Sequence, residues 1–478
     1  MPSMKTLPLL ALVAAVLATT AARAQFPNFP AADRVLGAAD FTTGGTTAAT
    51  PAGLFFPTGL AIDPLTGKLF VAAGNHHRIL RFPNVASLAN GANAEVAFGQ
   101  ANFSGTSFGN TATKFNGPYG VHVDAKGRLW VADFSNNRVL MFLGASTLPG
   151  FGSTPDLVLG QPNFITVTSG ISAVKMDFPI GVFVDAADNL WVAENSNHRV
   201  LKFAAVSSLA NGAAATAVLG QPDFTTKTPT TSATGLRFPR SVTVDGGGRL
   251  WVADQFNHRV LRYDAAASLA NGASATAVLG QPDFITDPTG TTAQTMFQPA
   301  AVLVDGVGTL YVTDQFNRRV LLFKSAASKV NGAAADGVIG QPDFTTDTFA
   351  TTERKLTNPS DGLAMDGAGR LWVSDTANHR VLRYSPDRTA APPKITSRVP
   401  RTTTRATLVV KGTASDTSGV KEVRHRVGRG AFRKAAGKTA WSFTARLNPG
   451  PNTIAIVMVD AAGNVSRAKT VRVTLLPR

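Results

Sequence analysis

Short apolar segments separated by turn residues recur along most of the chain. Within each segment, Val, Trp, Leu and Ile alternate with small or polar residues over four to six positions. A period of two predicts β-strands, because successive side chains of a strand point to opposite faces. The pattern therefore predicts an all-β protein.

One unit of this pattern occurs six times, at spacings of 60 or 61 residues. Each unit has an apolar strand that ends on an aspartate, a second apolar strand, and an Arg-Val-Leu type strand that begins shortly afterwards. Most units also have an Asn-Gly turn and a fourth strand that ends in Leu-Gly-Gln-Pro. Four strands in a repeat of this length predict one blade of a β-propeller. The second strands are Leu69–Ala73, Leu129–Asp133, Leu190–Glu194, Leu250–Asp254, Leu310–Asp314 and Leu371–Asp375.

The two ends of the repeat region complement each other. The sixth unit, Gly362–Tyr384, lacks the Leu-Gly-Gln-Pro strand, whereas a lone copy of that strand, Arg34–Phe41, precedes the first unit. We therefore expect the N-terminal segment to supply the outer strand of the last blade. Such a closure would cover a strand edge that could otherwise pair with another chain.

The repeat resembles a known family. Leu-Trp-Val-Ala-Asp followed by Asn-His-Arg-Val-Leu, as at 250–254 and 257–261, is similar to the NHL repeat, and the likeness extends over roughly residues 32–384. The resemblance implies a six-bladed β-propeller. It leaves the function open, because NHL propellers include RNA-binding and protein-binding domains, and related propellers include lyases and lactonases. The first unit departs from the pattern at Ala73, where the others have an acid, and at His76, where they have asparagine.

A second domain is predicted after Pro392-Pro393, where the composition changes. Its alternating segments are typical of half-buried strands, and Gly412–Asp416 and Val459–Asn464 resemble signatures of bacterial extracellular immunoglobulin-like modules. The expected organisation is an all-β propeller over 25–384, a linker over 385–393 and an Ig-like β-sandwich over 394–478.

Residues 1–24 have the order of charge, apolar run and small residues that is typical of a secretory signal peptide. Lys5 precedes the apolar run Leu7–Leu17, and cleavage is expected before Gln25; a buried helix is the alternative. The apolar run is short for a membrane span, and no second such run follows. Without cysteine there is no disulfide and no lipidated N-terminal cysteine. We expect a secreted, periplasmic or cell-surface protein.

Positive charge is concentrated in the C-terminal domain. From Ser385 onward there are 18 Lys and Arg against 4 Asp and Glu, a net charge of +14, whereas residues 25–384 hold 26 of each sign. One interpretation is a solvated surface; the other is docking on an anionic polysaccharide or membrane. Nucleic acid is not expected, because an exported protein seldom meets it. The candidate anionic-surface patch is Lys421, Arg424, Arg426, Arg429, Arg433 and Lys434.

No catalytic, metal or cofactor residues are predicted. His77, His198, His258 and His379 occur once per unit at one position, so a propeller would spread them around its axis instead of bringing them to one metal ion. The acids that end the second strands are expected to form charge-assisted hydrogen bonds with the following arginines, and the six turn aspartates are expected to form turns. At His122 the other units have packing residues, which favours packing there too.

The remaining candidate is one face of the propeller. At the channel mouth, where the innermost strands begin, polar side chains occur at Tyr119, Arg240 and Asp361. Variable loops rich in Thr and Phe follow each fourth strand and are expected on the same face as the Asn-His-Arg turns, where they serve either recognition or only as linkers between repeats. The sequence favours an exported, non-enzymatic binding or scaffold protein that recognises a protein, peptide or glycan. The alternative is a lyase or lactonase-like enzyme that acts at the channel mouth.

Overall fold

The computed structural model describes residues 26–416, 419–461 and 464–477. The chain divides into two compact units, of which one is Phe26–Pro386 and the other includes Asp387–Arg478. Strands dominate both, and the helices in the described residues are short 3-10 turns, so the all-β prediction is confirmed. The predicted signal peptide, residues 1–24, lies outside the described residues. No helix in the described ranges is long and apolar enough to cross a membrane.

The N-terminal unit consists of antiparallel four-stranded sheets, which confirms the four-stranded repeat. The first to fifth sheets are β2–β5, β6–β9, β10–β13, β14–β17 and β18–β21, and a sixth contains β22, β23, β24 and β1. The strands are β1 (Arg34–Leu36), β2 (Pro57–Ile62), β3 (Lys68–Ala73), β4 (Arg78–Asn84), β5 (Val96–Phe98), β6 (Pro118–Val123), β7 (Leu129–Asp133), β8 (Arg138–Phe142), β9 (Leu157–Leu159), β10 (Pro179–Val184), β11 (Leu190–Glu194), β12 (Arg199–Phe203), β13 (Ala217–Leu219), β14 (Pro239–Val244), β15 (Leu250–Asp254), β16 (Arg259–Tyr263), β17 (Ala277–Leu279), β18 (Pro299–Val304), β19 (Leu310–Asp314), β20 (Arg319–Phe323), β21 (Gly337–Ile339), β22 (Pro359–Met365), β23 (Leu371–Asp375) and β24 (Arg380–Tyr384).

Short 3-10 helices occur at two places in the repeat. One group connects the second and third strands and ends just before the repeated His, Asn or Arg position. The other follows the third strand. They are Gly74–His76, Phe134–Asn136, Val206–Ser208, Gln255–Asn257, Ala266–Ser268, Gln315–Asn317, Ala326–Ser328 and Thr376–Asn378.

The N-terminal strand β1 lies antiparallel to β24 in the sixth sheet. Its residues pair one by one, with Val35 opposite Leu382 at the centre. Asp33 extends the contact, because its backbone N–H donates to the Arg383 carbonyl and its carboxylate accepts from Arg383 Nε at 2.7 Å. The first and last strands of the unit therefore belong to one sheet.

The first strands of the six sheets contact one another in cyclic order around a central channel. Small residues permit this close approach. A Cβ at Gly120 would lie 2.2 Å from the Ile180 carbonyl oxygen, and a Cβ at Gly181 would lie 2.5 Å from that of Arg240. Side chains at these positions would force neighbouring strands apart, so glycine there narrows the channel.

The core lies between neighbouring sheets, and in the second to sixth sheets the turn aspartate also accepts a hydrogen bond from a Trp or Tyr side chain of the second strand. Trp130 is fully buried, and its indole N–H donates to Asp124 Oδ2 at 2.9 Å. Asp124 Oδ1 accepts two backbone N–H groups of its own turn. The prediction that these aspartates form turns is confirmed. The bond also satisfies an indole N–H that would be costly to bury unpaired.

The C-terminal unit contains two sheets, in the orders β25-β27-β31-β30 and β26-β33-β32-β28-β29. One core cluster, which includes Trp441, Phe443 and Ile456, involves residues of both sheets. The alternating segments predicted in this region are confirmed as strands. The strands are β25 (Lys394–Ile395), β26 (Thr402–Thr403), β27 (Thr407–Thr413), β28 (Val420–Val427), β29 (Arg433–Lys434), β30 (Ala436–Gly437), β31 (Ala440–Arg446), β32 (Gly450–Asp460) and β33 (Lys469–Leu475).

Candidate functional site

The acids that end the second strands are structural. Asp133 Oδ2 accepts from Arg138 Nε at 2.7 Å, and both side chains are fully buried. Burial raises the pKa of Asp133, while the positive charge of Arg138 acts in the opposite direction. The predicted charge-assisted hydrogen bonds are confirmed in five sheets. The other pairs are Glu194–Arg199, Asp254–Arg259, Asp314–Arg319 and Asp375–Arg380.

The same arginines also anchor the long loops. Arg138 Nη2 donates to the carbonyls of Thr111 and Lys114 at 3.0 and 2.9 Å, and Nη1 donates to the Phe164 carbonyl. These carbonyls lie on two successive loops, 102–116 and 163–177. One buried guanidinium therefore holds the bases of two loops in place.

The repeated histidines connect neighbouring sheets. His258 has a left-handed backbone, with φ 54°, and its Nδ1 accepts the backbone N–H of Gln298 from the next sheet at 3.2 Å. Burial lowers the pKa of His258, which favours the neutral ring that this bond requires. The predicted structural role is confirmed. Equivalent bonds join His77 to Gly117, His198 to Phe238 and His379 to Phe56, and Asn137 Oδ1 replaces the imidazole towards Phe178.

The junction between the fifth and sixth sheets is different, because Arg318 occupies the histidine position and has no acceptor atom. Its guanidinium donates to the Asp347 carbonyl at 2.8 Å and lies 5.7 Å from the centre of the Phe349 ring. The N–H of Asn358, which would be the donor here, makes a 3.4 Å bond to Asp375 instead. A groove of about 290 Å³ opens at this junction.

The structure brings Tyr119, Arg240 and Asp361 together, although they come from three sheets. Arg240 donates to Asp361 through two nitrogens, with Nη2 at 2.8 Å from Oδ2, and its guanidinium carbon lies 5.9 Å from the Tyr119 ring centre. Burial and the Asp361 charge raise the pKa of Tyr119. Arg240 also bonds Ser360 at 3.0 Å and approaches Gln315 at 3.5 Å. This cluster spans the channel from the fourth sheet to the sixth.

The channel encloses a cavity of about 200 Å³ that is lined by residues of all six first strands. His122 lines it and lies against Phe183, with ring centres 4.5 Å apart. Burial lowers the pKa of His122 to about 4, against the opposing effect of Asp124, so the ring is neutral near pH 7. The aromatic contact agrees with the packing role that the other repeats suggested.

The structure divides the candidate anionic-surface patch between two faces of the β28–β29 hairpin. Arg424 and Lys434 are cross-strand partners, and both form ion pairs with Glu422. Arg426, two residues further along, lies 4.6 Å from the centre of the Phe432 ring. On the other face, Arg433 pairs with His425. Lys421 lies near the start of β28, and Arg429 lies in the turn after it.

One group of acids among the described residues is close enough to hold a metal ion. The carboxylates of Asp387, Asp416 and Asp460 in the C-terminal unit have ligand atoms within 4.8 Å of one another. Asp460 is fully buried and accepts the Asn464 side-chain amide at 2.9 Å. This cluster was not predicted, because its members lie far apart in sequence.

Comparison with known protein families identifies the family of the repeat region. A family model described as the teneurin NHL domain matches residues 48–324, more than half of the chain. The chain belongs to the teneurin NHL domain family. Its N-terminal unit is accordingly an NHL β-propeller.

A curated relative of this NHL protein is "Protein SUPPRESSOR OF QUENCHING 1, chloroplastic" from Arabidopsis thaliana, which is 26% identical over 349 residues. The match covers 69% of this chain but only 30% of that protein. Similar solved structures include virginiamycin B lyase from Staphylococcus aureus, at 11% identity and a TM-score of 0.40, with coverages of 71% of this chain and 97% of that one. A gluconolactonase from Xanthomonas campestris has 13% identity and a TM-score of 0.41, with coverages of 76% and 99%.

Two features of the NHL propeller were missed from the sequence. Three of the four histidine bonds to the next sheet join residues 40 positions apart, the bond of His379 to Phe56 joins residues 323 positions apart, and no local pattern signals them. The Arg240–Asp361 pair joins residues 121 positions apart. A comparison of equivalent repeat positions could have pointed to both features. Arg240 is a cation where the other repeats have uncharged residues, and Arg318 replaces the His or Asn of the other repeats.

Proposed function

We propose that this protein is an exported, non-enzymatic binding protein. In this proposal a six-bladed NHL propeller presents a ligand face, and a basic Ig-like β-sandwich acts as a tether or spacer. The ligand would be a protein, peptide or glycan. The ligand face consists of the channel mouth, the loops anchored by the buried arginines, and the groove between the fifth and sixth sheets.

The groove is the observation that carries the proposal. Phe316 and Phe349 border it with 42% and 68% of their surface exposed, and Arg318 adds a guanidinium. Aromatic residues, including Phe, and arginine are enriched at protein interfaces relative to the rest of the surface. Gln315 connects the groove to the channel mouth, because it accepts from Gln255 at 3.1 Å and lies against Arg240.

The contacts at the channel mouth support binding over catalysis. Arg240 and Asp361 satisfy each other in an ion pair whose side chains are only 14% and 4% exposed. A general acid or base must reach the substrate proton, and this carboxylate already accepts from Arg240 and Ser360. The pair therefore fits the role of a fixed polar contact surface for a ligand better than that of a general acid and base.

The test is retention of full-length protein on printed peptide and glycan arrays. The groove variant combines Arg318→His with Phe349→Ser, and we expect it to lose at least tenfold in retention on the array ligands. The control combines Leu65→Ser with Val307→Ser, since both residues are exposed but lie in turns at the other end of the first strands. Equal retention of groove and control variants would contradict the proposed face. Conversion of an array ligand by the protein would favour the lyase or lactonase alternative.

A further inference from the structure

The first sheet differs from the other five at a buried position. Its second strand ends on Ala73, where the others end on an acid, yet the following arginine, Arg78, is present and fully buried. Ala73 and Arg78 are cross-strand partners, as Asp133 and Arg138 are in the second sheet. A guanidinium therefore lies buried opposite an alanine.

The second sheet shows which donors surround the missing carboxylate. Asp133 Oδ2 accepts from Arg138 Nε and from Asn136 Nδ2, at 2.7 and 2.8 Å. Asp133 Oδ1 accepts the backbone N–H of Asn116 at 2.7 Å. The same three kinds of donor converge on the acid in the other four sheets. The corresponding groups of the first sheet are Arg78 Nε, the His76 ring and the Phe55 N–H.

Two of these groups are left without partners. Arg78 uses Nη1 and Nη2 on loop carbonyls, including those of Thr50 and Gly53 at 2.9 and 3.0 Å, but its buried Nε has no hydrogen-bond partner among the described residues. His76 is 4% exposed, and its Nδ1 also lacks a partner within the described part of the chain. An unpaired buried charge is strongly unfavourable, and burial lowers the pKa of Arg78 to about 10.

We propose that a small monovalent anion, chloride or formate, binds at this position and replaces the missing carboxylate. Ala73 lacks the carboxylate that receives these donors in the other sheets, and formate is that carboxylate without its side chain. The anion would accept from Arg78 Nε and the Phe55 N–H, and its charge would neutralise the guanidinium. This site goes beyond the proposed ligand face and does not depend on it.

The His76 ring makes the proposed binding depend on pH. Its Nε2 donates to the Thr47 carbonyl at 2.9 Å, so Nδ1 is an acceptor in the neutral ring and donates to an anion only after protonation. Burial and the charges of Arg78, His77 and His379 lower the pKa of His76 to about 4. A bound anion would raise the pKa of His76 again, so anion binding and protonation of the ring favour each other. Anion affinity therefore rises as pH falls.

Thermal unfolding of the full-length protein tests the site. Sodium chloride and sodium formate are titrated in separate arms against sodium methanesulfonate, whose anion is too large, at constant ionic strength. At concentrations above the Kd, we expect the melting midpoint to rise by about 2 °C for each tenfold increase in chloride or formate concentration. The Kd should be lower at pH 5.5 than at pH 7.5. The arm with the lower Kd identifies the preferred anion.

The matched variant is Ala73→Asp, which supplies the carboxylate from the chain. It should raise the midpoint in methanesulfonate and abolish the response to both small anions. If the His76 ring crowds the new side chain, the double variant Ala73→Asp/His76→Asn reproduces the second sheet. Ala86→Asp controls for added charge, because Ala86 is exposed in the turn that follows β4 of the same sheet. Anion responses that persist in Ala73→Asp and in the double variant, or no response in the parent at either pH, would overturn the proposal in favour of a water-filled site.

Discussion

At the scale of single residues, each repeated polar side chain satisfies a backbone group that would otherwise be buried unpaired. Asp124 bonds the N–H groups of its turn, Arg138 bonds loop carbonyls, and His258 accepts an N–H from the next sheet. A buried unpaired donor costs about 1–3 kcal/mol, so a structural requirement is enough to explain these residues. The proposed anion site and the proposed ligand groove lie instead at Ala73 and Arg318, where one repeat departs from the others.

Substitution of His258 tests the junction bond. We expect His258→Ala to lower the free energy of unfolding by roughly 1–3 kcal/mol, because the Gln298 N–H loses its acceptor. His258→Asn should stay close to the parent, because Asn137 makes the same bond with Oδ1 in the second sheet. Denaturant unfolding measures both. Equal destabilisation by Ala and Asn, or loss of a stoichiometric metal ion in His258→Ala, would rule out this role.

At the scale of elements, strand positions were predictable wherever the repeat supplied them. The segment Leu250–Asp254 alternates, ends on an acid and recurs every 60 or 61 residues, and the structure makes it a buried second strand. The contacts between elements were harder to predict. Arg240 and Asp361 meet because the channel is narrow enough for one guanidinium to span, and channel width depends on how closely glycines such as Gly120 let the inner strands approach.

The N-terminal strand β1 should contribute strongly to the stability of the propeller. Val35 is fully buried between the fifth and sixth sheets, so we expect Val35→Asp to lower the melting midpoint markedly, because it buries a charge without a partner. Deletion of residues 25–42 should act in the same direction and expose the edge of β24 to aggregation. Asp40→Asn is the control, because Asp40 is exposed and bonds only its own turn. Melting of the deletion variant at the parent temperature would show that β1 is dispensable.

At the scale of the whole molecule, charge is segregated along the chain. Residues 25–384 carry no net charge, whereas the residues from Ser385 onward carry +14. Glu422 partly neutralises Arg424 and Lys434, so the local field of the candidate patch is weaker than the count of cations suggests. Ionic screening reduces the reach of exposed charges to about 8 Å at physiological salt. Any docking on an anionic surface therefore requires close contact with the β28–β29 hairpin.

Charge reversal on this hairpin tests docking in the full-length protein. We expect Arg424→Glu/Arg426→Glu/Lys434→Glu to reduce binding to vesicles that contain phosphatidylserine, or to an anionic polysaccharide, by at least tenfold at low salt. The control, Lys126→Glu/Lys175→Glu/Lys227→Glu, changes the net charge equally but at exposed lysines of the propeller. Co-sedimentation at low and high salt distinguishes the two interpretations of the basic domain. If the hairpin is the docking surface, only its reversal weakens binding, and salt weakens binding of the parent steeply. If both triple variants lose binding equally, or if binding is indifferent to salt, the charge only keeps the domain soluble.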